Sequence, residues 1–317
     1  MTRSFVTGVG GQDGRYLVER LLAEGVEVHA LAHESEPVPD LPDVELHLGD
    51  LTRTDDVRRL LLDLAPDEVY NLAALSSVGR SWQEPELTYA INGTAAAGLF
   101  HAALAVQDRS GKQVRVVQAS SAEIFGQPDR SPQDEDTPIR PANPYGAAKA
   151  FAHLVCGVLR GQGLHAATAI LYNHESPLRP THFVTRKITS TVAAIARGEA
   201  DRLVLGNLDA RRDWGWAPDY VDAMVRALRA DQPRDYVVAT GVAHSVRDFV
   251  ATAFICAGIT DWDPFVHVDP AFVRPVDATE LVGDAARAAA ELGWAPTVDF
   301  RTVVDRMVKA DLTAPLP

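Results

Sequence analysis

Basic side chains are in deficit: the 317 residues carry 30 Lys and Arg against 43 Asp and Glu, a formal net charge of −13. So acidic a chain is not expected to bind nucleic acid, which needs a basic face to displace phosphate counterions. A phosphorylated small molecule, held by a few local arginines, stays open. Cysteine is almost missing: Cys156 and Cys256 are the two, each in an apolar, helical-looking segment. Core packing rather than a disulfide is the reading, and a reducing cytoplasm the expected location. No apolar run approaches the length of a membrane span, and the first residues lack a charged-then-apolar signal pattern, so no membrane is expected. Repeats and low-complexity segments are lacking too, and no metal site is assigned. What is present, 46% hydrophobic and 23% charged residues, suits a soluble globular protein. The length allows one large domain with a subdomain, or two domains sharing a cleft.

The first half alternates short β-branched runs with longer helical patterns. "SFVTGV", "VEVHALA", "VELHLGD", "DEVYNLA" and "VRVVQASS" read as strands, while "GRYLVERLLAEG", "DDVRRLLLDL" and "TYAINGTAAAGLFHAAL" have helical spacing. "AAKAFAHLVCGVLRGQG" then reads as a buried helix before another strand, "HAATAILYN". Such alternation predicts an α/β fold: a Rossmann-type doubly wound parallel sheet with a smaller C-terminal α/β substrate lobe. The dinucleotide-binding domain is placed at 1–172 with return segments near 206–242, and the lobe at 173–205 and 243–317, where the rhythm shortens and Pro, Trp and Asp accumulate.

"TGVGGQDG" puts Gly8, Gly11 and Gly14 at G-x-x-G-x-x-G spacing between a strand and a helix. Glycines there permit a tight turn and close approach of a pyrophosphate to a helix N-terminus. A plain glycine turn would look the same, and the position after the first strand favours dinucleotide binding. "YGAAK" spaces Tyr145 and Lys149 four apart, on one face of a helix. An ammonium beside a phenol is expected to lower the phenol's pKa and let it exchange a proton. The bland alternative is a buried tyrosine and a surface lysine; Ser121 just upstream favours chemistry. Glu123, in "QASSAEIFG", is either a solvated loop charge or a proton acceptor aimed into a cleft.

This set resembles the extended short-chain dehydrogenase/reductase family, whose members act on nucleotide sugars. "TGVGGQDGRYL", "SSAEIFG", "NPYGAAKAFAH", "LYNHESPLR", "FVTRKIT", "LGNLDARRDWGWAPDYV" and "LVGDAARAAAELGW" are similar to its GDP-mannose 4,6-dehydratase group over nearly the whole chain. The resemblance implies an internal redox cycle. Tyr145 would take the sugar 4-hydroxyl proton, Ser121 would hydrogen-bond that oxygen, and Lys149 would hold the phenolate and the nicotinamide ribose. Glu123 would remove the C5 proton and help water leave from C6. A serine stands at 121 where many members have threonine; both carry the hydroxyl.

The same resemblance assigns Ser81, Asn173, Val184, Lys187, Arg212 and Arg274 to the nucleotide-sugar substrate, with arginine suited to a diphosphate. A surface pair is the bland reading of Arg211 and Arg212, as solvated charges are for Arg186 and Lys187. Thr7, Gly8, Gly11, Gln12, Asp13 and Gly14 are assigned to the cofactor. Asp50 and Leu51 follow on the adenine side, and Leu72, Ala73 and Ala74 line the path to the ribose. His174, with Glu175, would orient the loop under the nicotinamide, and Trp214 and Trp216 would pack.

One stretch departs from the group. After the second strand its members carry two arginines for the 2′-phosphate of NADP, in a longer loop; here stand His33 and Glu34. A glutamate accepts from a ribose 2′-hydroxyl and repels a phosphate. The cofactor is therefore NADP or NAD, with NAD expected to bind at least as well. The shortened loop, which helps assemble tetramers in the relatives, makes a homodimer through a helix bundle the expected assembly. Two other readings remain at this stage. One is a dehydratase, reductase or epimerase acting on another sugar nucleotide; the other is a non-catalytic cofactor-binding sensor, which would typically have lost the tyrosine or lysine.

Overall fold

The computed structural model describes residues 1–34, 40–272 and 280–314. In chain order its first part runs β1 (Arg3–Thr7), α1 (Gln12–Ala23), β2 (Glu27–Ala32), β3 (Val44–Leu48), α2 (Thr54–Leu64) and β4 (Glu68–Asn71). Then come α3 (Val78–Gln83), α4 (Pro85–Tyr89), a π-helical turn at Ala90–Ala95, α5 (Ala96–Ser110), β5 (Arg115–Ser121), α6 (Pro144–Gly161) and β6 (His165–Leu171). The remainder is β7 (Asn173–Glu175), α7 (Val184–Ala196), β8 (Leu203–Leu205), β9 (Arg211–Trp216), α8 (Ala217–Arg229), β10 (Asp235–Val238), β11 (Ala243–Ser245), α9 (Val246–Cys256), β12 (Val266–Val268), β13 (Glu280–Leu281), α10 (Ala286–Leu292) and α11 (Phe300–Thr313).

Among the described residues the main sheet has seven strands in the order β10-β6-β5-β4-β1-β2-β3, all parallel. Strands covered on both faces read as continuous apolar runs, and every residue of β6 is buried. One layer packs Leu17, Val18, Tyr220 and Met224 of α1 and α8 on the sheet. The opposite layer packs Val57, Leu99, Phe100 and Cys156 of α2, α5 and α6. The strand order reverses between β1 and β4, so the crevice at the carboxyl ends of the strands opens there, where α/β proteins bind ligands.

The smaller lobe has its own core of α7, α9, α11 and the strands β8 and β9, including Val192, Trp214, Phe249 and Met307. β9 is the hub: β7 and β13 join it in parallel and β11 antiparallel. Two boundaries differ from the sequence reading. The returning segment is α8 and β10, while β9 stays with the lobe's sheet. In addition α10, placed in the lobe, contributes Ala288 to the core of the main sheet, because its apolar side finds β10 and α8 uncovered.

The expectation about apolar runs also needs correction. The continuous helix Pro85–Ser110 is long and apolar enough, by length and composition, to cross a bilayer. Half of its most apolar window is buried, and Leu99, Phe100 and Val106 sit in the core beside β5. Both cysteines are free, Cys156 buried and Cys256 half-buried.

Candidate active site

The glycine turn between β1 and α1 is sterically enforced. Gly8 has φ +75°, and a Cβ there would lie 2.7 Å from the Ala73 nitrogen. One on Gly14 would lie 2.3 Å from the Gly8 carbonyl. β1, β4 and the first turn of α1 can therefore converge only without side chains at these points, which leaves the α1 N-terminus bare of bulk. A polar chain crosses the same strand ends. Thr7 Oγ1 donates to Asn71 Oδ1 at 2.8 Å, Asn71 Nδ2 to Gln118 Oε1 at 2.6 Å, and Gln118 Nε2 to the Ala119 carbonyl at 2.9 Å. Lys149 Nζ donates to that same carbonyl, also at 2.9 Å. The line joins the glycine turn to α6.

α6 begins where Asn143 accepts from the Gly146 amide at 2.8 Å and Pro144 occupies the first helical position. Tyr145 and Lys149 then project from one face, both buried. Ser121 closes β5 opposite Leu171 and accepts from the Glu123 amide at 3.2 Å. Glu123 is held twice. Its carboxylate accepts from Asn143 Nδ2 at 2.7 Å, and a Cβ on Gly146 would lie 2.4 Å from its carbonyl. The first turn of α6 thus sets Glu123 and Tyr145 in one frame. Ser81, assigned to substrate, is fully buried; its hydroxyl donates to the Val78 carbonyl at 2.7 Å and accepts from the Tyr145 amide at 3.3 Å. It anchors the tyrosine's backbone.

The electrostatics correct one expectation. Burial pushes the Tyr145 phenol up to about 12, the hydrogen bond with Ser121 pulling the other way. Burial also brings the Lys149 ammonium down to about 8, with Asp13 opposing. Its Nζ stands 5.9 Å from the phenol ring centroid. Desolvation is the largest influence on the phenol, which therefore rises where its lysine neighbour was expected to lower it.

Asp13 is tied to the second lobe. It accepts from Gln12 Nε2 at 3.1 Å and faces His174 Nε2 at 2.9 Å. The other ring nitrogen of His174 faces the Tyr172 carbonyl at 2.7 Å. Two acceptors suit a doubly protonated ring: burial works against that charge, yet Asp13 holds the imidazole above its usual value. Gln12 also donates to the His174 carbonyl at 3.0 Å and accepts from Ser176 at 2.8 Å. The ring of His174 stacks on Tyr220 at 4.6 Å.

The residues assigned to substrate gather partly. Asn173 and Arg212 share the small sheet, since β7 pairs Asn173 with Trp214 of β9. Arg212 is buried, Nη1 donating to the Arg211 carbonyl at 2.7 Å, whereas Arg211 is exposed and pairs with Glu280 at 2.9 Å. The bland surface-pair reading therefore fits Arg211 only. Val184 opens α7 and Lys187 lies one turn on, both half-buried. Arg186 pairs with Asp311, and Trp214 packs on Phe249 and Phe300. Arg274 lies outside the described residues.

Toward the sheet's other edge, a cavity of ≈430 Å³ lies among the ends of β2 and β3, walled in part by Leu31, Glu34, Leu48, Asp50, Arg53 and Asp56. Asp50 accepts from the Thr52 amide and hydroxyl at 2.8 and 2.7 Å, and Leu51 is buried. Leu72, Ala73 and Ala74 follow β4, half-buried, and His33 is exposed. The sequence reading missed Asn71, Gln118 and Asn143. It also missed Arg179, which stacks on Phe183 at 3.7 Å and pairs with Glu175 at 3.3 Å. Asn143 had a signal, an N-cap residue before proline; the others depend on which strands become neighbours.

Comparison with known proteins agrees with this geometry. The family model described as GDP-mannose 4,6 dehydratase matches residues 5–307. GDP-mannose 4,6 dehydratase 1 of Arabidopsis thaliana is 41% identical over 324 residues, covering 98% of this chain and 89% of the relative. GDP-mannose 4,6-dehydratase of Vibrio cholerae is 38% identical over 349 residues, covering 98% and 93%. The solved UDP-glucose 4-epimerase of Thermus thermophilus in complex with NAD has a TM-score of 0.85 at 27% identity, covering 99% of this chain and 100% of that one. With the match spanning both lobes and the glycine turn, the chain belongs to the GDP-mannose 4,6-dehydratase family.

Proposed function

We propose that the protein converts GDP-D-mannose to GDP-4-keto-6-deoxy-D-mannose, eliminating one water per turnover, with a bound NAD or NADP that ends each cycle as it began. The observation that carries this reading is the joint fixing of Glu123 and Tyr145 by Asn143 and Gly146, beside Ser121. A nicotinamide dinucleotide suits the site: the side-chain-free turn of Gly8 and Gly14 at the α1 N-terminus fits a pyrophosphate. When bound, it would accept hydride from C4 of the sugar and return it to C6.

The chain's own groups move the protons. Tyr145 takes the 4-hydroxyl proton and Ser121 hydrogen-bonds the same oxygen. Oxidation at C4 acidifies C5–H, which Glu123 removes and passes to the departing C6 hydroxyl, releasing water. C5 regains a proton from solvent as C6 is reduced, and Tyr145 returns its own proton to solvent to close the cycle. Lys149 supplies positive charge beside the phenolate that accepts the 4-hydroxyl proton, while Asp13 and His174 brace the glycine turn against β7. Asn173, Val184, Lys187, Arg212 and Arg274 would hold the GDP moiety. The test is incubation with GDP-mannose alone, with products identified by mass and NMR. A 4-keto-6-deoxy sugar with no net change in cofactor is expected. Its absence at saturating substrate removes the proposal, and NAD(P)H consumed in proportion to product would identify a reductase instead.

Ser121 has a testable sign. Its hydrogen bond lowers the Tyr145 pKa, so kcat/KM should climb on the alkaline side, the limb belonging to the Tyr145–Lys149 pair. Ser121→Ala should displace that limb to higher pH and reduce kcat by ~10-fold or more. A limb left in place would remove Ser121 from the proton path.

The cofactor is proposed to be NAD at least as readily as NADP. In the cavity beyond β2 and β3 three acids, Glu34, Asp50 and Asp56, face one arginine, Arg53, a balance that disfavours a further phosphate. Dissociation constants for the two nucleotides decide it, and a strong preference for NADP would reverse the assignment. The assembly is proposed to be a homodimer. Phe151, Leu154 and Val158 are exposed at helical spacing on α6, with Leu87 and Tyr89 of α4 also exposed. Light scattering should return a dimer; a stable tetramer contradicts it. Free cysteines suit a reducing cytoplasm.

A further inference from the structure

β2 and β3 form the outer edge of the main sheet, with His29 opposite Glu45 and Leu31 opposite His47. Alternation along each strand puts His29, Glu45 and His47 on one face. Three donor atoms meet there. His29 Nδ1 is 3.1 Å from His47 Nε2 and 3.6 Å from Glu45 Oε2, and His47 Nε2 is 3.9 Å from Glu45 Oε1. A tetrahedral zinc with ligands at ~2.0–2.1 Å spaces them by about 3.3–3.4 Å. The two histidine nitrogens are within a few tenths of an ångström of that spacing. The Glu45 carboxylate faces each of them through a different oxygen; with one ligand atom from each residue already within 4.8 Å of the others, rotation of this exposed side chain brings a single oxygen toward both.

The residue behind the triangle is an independent pointer. His29 Nε2 lies 2.9 Å from Glu27 Oε1, and the Glu27 carboxylate accepts from Arg3 Nε at 2.9 Å and Nη2 at 3.2 Å. A carboxylate that receives the Nε2 proton leaves the lone pair on Nδ1, which is the atom turned toward His47 and Glu45. Carboxylate–histidine–metal relays have this form, and the outer carboxylate orients the ring and raises its basicity. His29 is buried and its ring is held on both sides, whereas Glu45 is exposed and offers an entry path.

We propose that His29, His47 and Glu45 bind one divalent cation of the zinc class, with solvent completing the coordination. The cation clips the edge strand β3 to β2 at the rim of the cavity that Glu34 and Asp50 help to wall and that His47 itself lines. It is remote in the fold from Ser121, Glu123, Tyr145 and Lys149 on β5, α6 and the turn between them. The sequence reading assigned no metal because the two histidines lie on separate strands, and only the β2–β3 register joins them.

The test is a titration of the tag-free, chelator-stripped full chain with Zn(II) by calorimetry and with Co(II) by visible absorption. One saturable equivalent is expected, with a four-coordinate Co(II) band and a thermal midpoint that rises with Zn(II). His47→Ala and Glu45→Gln, both reaching the surface, should each weaken binding at least ~10-fold. Glu27→Gln should weaken it by ~10–100-fold through the relay. No saturable binding, or equal affinity in His47→Ala with the fold intact by circular dichroism, overturns the site. Because the readout is binding, it stands or falls separately from the GDP-mannose reaction.

Discussion

Glu123→Gln should halt the proposed reaction between its two halves. The amide keeps the length of the side chain and its oxygen can still accept from Asn143 Nδ2, so the hydrogen bond observed at 2.7 Å has a partner in the variant. The backbone contact with Gly146 is untouched. A surface-reaching swap of this kind should change stability by less than ~0.5 kcal/mol. What disappears is the proton acceptor. Tyr145 and Ser121 are unchanged, so the 4-hydroxyl can still be oxidised, but C5–H has no base. Loss of one general base corresponds to a fall in kcat of ~10²–10⁴-fold. In a single turnover, reduced nicotinamide should therefore accumulate in the variant, and in D₂O no deuterium should enter at C5. A variant that releases 4-keto-6-deoxy product at the normal rate would remove Glu123 from the mechanism. One that loses C4 oxidation as well would turn its role into positioning.

Legibility in the sequence followed the range of the interaction. The alternating strands and helices, the Gly8–Gly14 turn and the four-residue step from Tyr145 to Lys149 are local patterns, and each was readable. So was Ser121 at a strand end. The line Thr7–Asn71–Gln118 was not, because it exists only where β1, β4 and β5 lie side by side. Asn143 was readable as a helix cap but not as the donor to Glu123. The resemblance singled out Arg212 over Arg211, but a run of charges gave no physical reason for the choice; on β9 Arg211 is exposed and Arg212 buried. The Tyr145–Lys149 pair shows the sharpest limit. Spacing placed both on one face, but their proton affinities depend on how much protein surrounds them: burial raises the phenol, which was expected to be lowered, and brings the ammonium down.

Lys149→Met should give a protein that is inactive and more stable. Lys149 is 3% exposed, and burial brings its pKa from 10.5 to about 8. At 1.36 kcal/mol per unit, a shift of that size implies a cost on the order of 3 kcal/mol for keeping the ammonium charged in the folded protein near neutrality. Methionine is unbranched, of similar length and content in an apolar site. The Ala119 carbonyl that Lys149 now bonds would keep its bond from Gln118 Nε2 at 2.9 Å, so no buried acceptor is orphaned. The sign follows from linkage. The folded-state pKa lies below the unfolded one, so between about 8 and 10.5 the unfolded chain binds more protons, and the native protein gains stability as pH rises through that window. The advantage of methionine is therefore fully present below about pH 8 and fades toward about pH 10.5. Denaturant midpoints should show a gain of ~1–3 kcal/mol at neutral pH, shrinking in alkali, while kcat falls by ~10²–10⁴-fold. A variant no more stable than the parent at neutral pH, or one whose advantage ignores pH, would mean that the ammonium is not held at a cost. The stability sacrificed at Lys149 is then the measure of what the site requires of its charge.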